Sequence, residues 1–91
     1  MNKFEKAEQR RRILNKLLRF AELKNGWDGY SAPKFDEKYI QKAINEMKPI
    51  LAKFKKVGFE ENNIHVVPTA SGHIQFEAES DTAYLEIVIE K

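Results

Sequence analysis

Ile64-His65-Val66-Val67-Pro68-Thr69-Ala70-Ser71-Gly72-His73-Ile74-Gln75-Phe76-Glu77-Ala78 decides how this chain folds, because here the apolar residues begin to recur at every second position. Ile64, Val66 and Pro68 share a parity, as do Ile74, Phe76 and Ala78, and then Leu85, Ile87 and Ile89 before the end. Successive side chains of a strand point to opposite faces, so this alternation predicts three strands with one dry face. The other face would carry His65, Val67 and Thr69, then His73, Gln75, Glu77 and Glu79, then Tyr84, Glu86, Val88 and Glu90. One dry and one polar face is the pattern of an antiparallel sheet covered on one side.

The turns set the expected registers. Ala70-Ser71-Gly72 as a loop puts Gly72 at a left-handed position and pairs Val66 with Phe76. A tight loop at Ser80-Asp81 would pair Phe76 with Leu85, Ile74 with Ile87 and Glu77 with Tyr84, set Gln75 against Glu86, and bring His73 opposite Val88. Both choices keep like faces together.

Upstream of the sheet the period is helical. Ile13, Leu14, Leu17, Leu18 and Ala21 form one stripe, flanked by Phe4, Ala7 and Phe20, and Asn25-Gly26 supplies the stop. A second helix begins after Asp36 as N-cap, with Phe35 in front of it. Its stripe is Ile40, Ala43, Ile44, Met47, Ile50, Leu51 and Phe54, and Val57-Gly58 closes it. Pro49 predicts a kink near Glu46 to Lys48 or a split into two helices. Glu60-Glu61-Asn62-Asn63 reads as a solvated loop. The expected fold is therefore α+β: two N-terminal helices packed on one face of a three-stranded antiparallel meander, in one domain over residues 1–91.

Composition narrows the function classes. Apolar residues make up 42% and charged residues 33%, a globular balance. Cysteine is absent, which removes disulfides, thiolate metal sites and cysteine nucleophiles. No apolar run is long enough to span a bilayer, and Met1-Asn2-Lys3-Phe4-Glu5-Lys6 leads into no signal-like segment, so a cytoplasmic protein without membrane contact is expected. The net charge of +2 hides a division: residues 1–56 sum to +8 and residues 57–91 to −6. Such asymmetry marks either a partner surface or attraction between the halves of the domain.

Three groups of residues are candidates for function. The first is the loop Asn25-Gly26-Trp27-Asp28-Gly29-Tyr30-Ser31-Ala32-Pro33, where Trp27 either plugs the core or, with Asp28 and Tyr30, grips a protein partner. Nothing around it forms a phosphate-binding loop. The second lies on the polar sheet face, where His65, Glu77 and Tyr84 would align, with Val67, Tyr84 and Val88 as an apolar strip. One imidazole and one carboxylate on an open sheet are a weak basis for catalysis or metal binding, so no catalytic residue, metal or cofactor is assigned, and a partner or dimer surface is the stronger reading. The third is Arg10, Arg11, Arg12, Lys16 and Arg19 on helix one, a face suited to nucleic-acid phosphates but interspersed with Glu5, Glu8 and Glu22.

Two of these segments also resemble a known group. Trp27-Asp28-Gly29-Tyr30-Ser31-Ala32-Pro33, followed by Pro68-Thr69-Ala70-Ser71-Gly72-His73-Ile74-Gln75-Phe76-Glu77 and then Leu85-Glu86-Ile87, is similar to short bacterial and phage-borne proteins. Those carry a Trp-Asp-Gly-Tyr-x-Ala-x-Pro-like motif after an N-terminal helix and a Pro-Thr-x-x-Gly-x-Ile hairpin near the end. Residues 15–90 take part, and Pro33 stands one place early for the pattern. The resemblance implies the same fold and a mobile-element setting, and it supplies no catalytic residue. The leading expectation is a non-enzymatic protein-binding module, such as an inhibitor, antitoxin or accessory partner. A nucleic-acid-binding protein using helix one is the alternative, and a small metal-dependent or hydrolytic enzyme ranks last. The unpaired edge of an outer strand leaves a homodimer open.

Overall fold

The computed structural model describes residues 3–91; Met1 and Asn2, where the N-terminal reading begins, lie outside them. The described chain forms α1 (Lys3–Arg19), α2 (Glu37–Val57), β1 (Ile64–Pro68), β2 (Ile74–Glu79) and β3 (Tyr84–Val88). A 3-10 turn at Phe20–Glu22 extends α1, and another at Glu61–Asn63 leads into β1. The strands make one antiparallel sheet in the order β1-β2-β3, so the molecule is α+β. Among the described residues no helix is long and apolar enough to cross a membrane.

In α1 the buried positions are Ile13 and Leu17, continued by Phe20, a spacing of four and three. The expected stripe was set too far round: Leu18, Ala21, Phe4 and Ala7 are exposed, and Phe20, expected only as a flank, is core. The 3-10 turn explains part of this, since its tighter winding rotates Phe20 inward and Ala21 outward.

Helix α2 follows its sequence more closely. The Asp36 carboxylate accepts from Lys38 N, and Gly58 ends the helix at φ 107°. Glycine is required there, because a side chain is strained in the left-handed region. The helix runs through Pro49 as one element rather than two. The missing proline N–H deprives only the carbonyl of Asn45, an exposed residue that water can serve, while Ile50, Leu51 and Phe54 beyond it are buried.

A single buried cluster joins Ile13, Leu17 and Phe20 to Phe35, Tyr39, Ile40, Ala43, Ile50, Leu51, Phe54 and Phe59, and to Ile64, Val66, Ile74, Phe76, Ala78 and Ile89. Leu85 and Ile87 pack against it half-buried. Each deeply buried aliphatic or aromatic side chain contributes about 1.5–3 kcal/mol.

The first hairpin has the expected register, with Val66 opposite Phe76 and Thr69 N donating to His73 O at 2.9 Å. The second does not. Phe76 lies opposite Ile87, Ala78 opposite Leu85 and Glu79 opposite Tyr84, a slip of two from the expected pairing. The loop is residues 80–83, closed by Ser80 N on Ala83 O at 2.8 Å and by Ala83 N on Ser80 Oγ at 3.1 Å. The serine hydroxyl caps backbone that a two-residue turn would not contain. A slip of two preserves the faces, so hydrophobic parity does not oppose it.

Candidate functional site

The loop after α1 is held from inside. Gly26 and Gly29 sit at φ 79° and 84°, Gly26 N donates to Ala32 O at 2.7 Å, and Gly29 N donates to Gly26 O at 2.9 Å. The Asp28 Oδ1 accepts from Tyr30 N at 2.9 Å and Ala32 N at 3.2 Å. Trp27 is half-buried: its Nε1–H donates to Pro33 O at 2.9 Å and its ring lies 6.3 Å from Phe35. Trp27 and Asp28 thus have their polar groups engaged within the loop, while Tyr30 is 87% exposed. The two motif segments also meet in space. A Cβ on Gly72 would stand 2.8 Å from Pro33 Cγ, so the hairpin glycine is the seat on which the loop's proline rests.

The basic residues of α1 divide. Arg10 donates to Glu61 Oε1 through Nε at 3.3 Å and Nη2 at 3.2 Å, and Lys55 Nζ pairs with the same oxygen at 2.6 Å. Arg12 Nη2 donates to Glu61 O at 3.3 Å and to Ile64 O at 2.8 Å. Glu61 is 1% exposed, so the segment expected to be a solvated loop contains the one buried charge among the described residues. Its Oε2 is buried with no partner among the described residues. Burial pushes the Glu61 pKa up, but the Lys55 hydrogen bond and the charges of Arg10 and Lys55 outweigh it, and the carboxyl stays below its ordinary value. Two of the arginines named for the nucleic-acid alternative therefore tie α1 to the start of the sheet. Arg11, Lys16 and Arg19 remain exposed.

On the sheet, His65 stands opposite Glu77 as expected, but Glu77 faces Glu86, Tyr84 faces Glu79 and Gln75 faces Val88. His73 lies before β2, its ring edge-on to Tyr39 with 6.5 Å between centroids, instead of facing Val88. Facing carboxylates repel, and two donors relieve the pair. Gln75 Nε2 donates to Glu77 Oε2 and Glu86 Oε2, both at 3.1 Å. The Tyr84 hydroxyl donates to Glu86 Oε2 at 2.7 Å and lies 3.3 Å from Glu77 Oε2. That hydrogen bond to Glu86, with burial and the two negative charges, pushes the Tyr84 pKa up to about 12. His65, Glu77, Glu79 and Tyr84 line a shallow depression with Asn63. Among the described residues no three His, Cys, Asp or Glu side chains converge as metal ligands. The register also aligns Val67, Gln75 and Val88 in a row. Tyr84 and Val88 are 55% and 40% exposed, and both flank Glu86 on β3.

Sequence reasoning missed Tyr39. Its hydroxyl accepts from Ile74 N at 2.7 Å and donates to Ile89 O at 2.6 Å. Ile89 N meanwhile donates directly to Ile74 O at 2.9 Å. The hydroxyl is thus inserted into one of the two bonds that this antiparallel pair would exchange. The available signal was modest: Tyr39 lies one turn before Ala43 on the buried stripe, and a buried tyrosine needs a polar partner. Comparison with known proteins brought no matching family model, no matching curated protein and no matching solved structure.

Proposed function

We propose that this chain is a non-enzymatic protein-binding module, that both helices cover the Val66 and Phe76 face of the sheet, and that its contact surface is the opposite face around β3. The observation that carries this reading is the grouping of exposed Tyr84 and Val88 with the Glu77–Glu86 pair, beside Val67 and His65. Tyrosine is among the side chains enriched as interface anchors, and a polar, charged rim around an apolar patch is the usual surround of such an anchor. The loop candidates contribute less, since Trp27 and Asp28 have their polar groups engaged internally and Tyr30 projects alone. The resemblance to short bacterial and phage-borne proteins supports a cytoplasmic setting on a mobile element, where the partner would be encoded nearby and the module would act as inhibitor, antitoxin or accessory subunit.

Co-purification with the products of neighbouring genes tests the reading. Tyr84→Ala with Val88→Ser should release the partner while thermal unfolding stays near wild type. A partner that leaves only when the protein unfolds, and never on substitution of this face, would refute it.

A further inference from the structure

The two borders of the sheet are unequal. In β1 the pairs Val67–Gln75 and Thr69–His73 turn their backbone toward β2, which leaves Ile64, Val66 and Pro68 facing outward. That border is blunted: Arg12 Nη2 occupies the Ile64 carbonyl, and Pro68 has no N–H to offer. In β3 the direct bonds Ser80 N to Ala83 O and Ile89 N to Ile74 O bracket the ladder. Leu85 and Ile87 therefore turn inward to β2, while the N–H and C=O of Tyr84, Glu86 and Val88 point outward along the free border. No bulge, proline or lysine interrupts β3, and the run ends only where Lys42 Nζ takes the Glu90 carbonyl at 2.6 Å. Beside this border lies a groove of about 330 Å³ between α2 and the end of the sheet, where Pro49, Ile50, Ile87, Val88 and Ile89 are apolar and Glu46, Lys53 and Glu90 charged.

Resting on the protein-binding reading, we infer that the partner supplies an extended basic segment that adds to β3 as a fourth, antiparallel strand. Its alternate side chains would divide as strand side chains do, apolar ones entering the groove and basic ones lying over Glu86 and Glu77 between Tyr84 and Val88. Charge selects this occupant over a second copy. Pairing β3 with itself would bring Glu77, Glu79 and Glu86 of each copy onto one continuous face, with like charges adjacent.

The probe is an acetylated and amidated heptapeptide of alternating lysine and valine, beginning and ending on lysine, titrated into the full chain. Backbone NMR shifts and amide hydrogen exchange are read at Tyr84, Glu86 and Val88. Unprotected amides at these three residues should become at least tenfold slower to exchange when the peptide saturates. The same peptide N-methylated at its lysines should bind at least tenfold more weakly, and a glutamate-for-lysine version should not bind. Equal binding of the N-methylated peptide, with shifts on the face and no new protection, would overturn strand addition while leaving the protein-binding reading intact. Protection that rises with protein concentration alone would assign the border to a second copy and overturn the inference. No response at the border or face to any peptide would overturn it too, and co-purification with neighbouring gene products would then judge the broader reading separately.

Discussion

Replacing Tyr39 with phenylalanine isolates a single oxygen atom in the middle of the structure. The ring would keep its place, stacked 6.3 Å from Phe35 and edge-on to His73. The hydroxyl's two bonds, 2.7 Å from Ile74 N and 2.6 Å to Ile89 O, would vanish. A buried donor or acceptor left unpaired costs about 1–3 kcal/mol. Two such groups would lose about 2–6 kcal/mol between them, and contraction of the strands toward a direct bond recovers part of it, so the net loss should be about 2–3 kcal/mol. Unfolding entropy near 2.1 cal/mol/K per residue amounts to about 0.19 kcal/mol/K for this chain, so the melting temperature should fall by about 10–15 °C. Amide exchange at Ile74 should accelerate with it. The alkaline limb gives an independent check. Burial raises the Tyr39 pKa, partly countered by the Ile74 N–H and reinforced by Glu90 and Glu46. Folding therefore favours the protonated phenol, whose contribution is complete below the ordinary tyrosine value of about 10 and disappears as pH rises through the higher folded value. Wild type should lose its advantage over the phenylalanine variant in that range. Urea unfolding monitored by circular dichroism measures both effects. A variant within about 0.5 kcal/mol of wild type at neutral pH would refute the claim that the hydroxyl is a member of the ladder.

Gly72→Ala should destabilise by about 2–3 kcal/mol, from its φ of 88° together with the 2.8 Å approach to Pro33 Cγ, and Pro33→Ala in the same chain should recover the steric part; thermal denaturation of both variants decides this. Glu61→Gln should cost about 1–3 kcal/mol, less than a fully enclosed pair because Arg10 and Lys55 are partly exposed. Because the Glu61 pKa is lowered on folding, this contribution is full above its ordinary value of 4.5 and fades as pH falls through the folded value. The urea midpoints of wild type and variant should therefore converge in acid. Tyr84 should titrate at about 12 by ring-carbon NMR, and Glu86→Gln should return it toward 10, since the hydrogen bond to Glu86 is the largest cause of its shift.

What the sequence disclosed depended on whether a signal was local. Gly72 fixed the first hairpin because its turn demands a left-handed residue there, and Asp36 and Gly58 marked the ends of α2 through their own backbone chemistry. The second hairpin escaped because parity repeats every two residues, so the slip left every face unchanged and only the Ser80 hydroxyl distinguished the registers. The site followed suit: the side chains on one face of the sheet were legible, but Glu77 opposite Glu86 was not. Glu61 was the least readable residue. Its neighbours Glu60, Asn62 and Asn63 are exposed polar residues, and its partner Arg10 lies 51 positions away. Tyr39 shares that difficulty, since Ile89 is 50 positions downstream.

The unequal borders of the sheet also bear on how this chain behaves when crowded. Endless growth of stacked sheets needs two complementary ends on every unit, so that each arrival offers the next a docking place. Here the β1 end is stopped by Arg12 and Pro68, leaving one receptive end per molecule. Copies that met through their open ends would consume both and terminate as a pair. The fold thus leaves one strand border open without offering a second through which copies could repeat into a fibre.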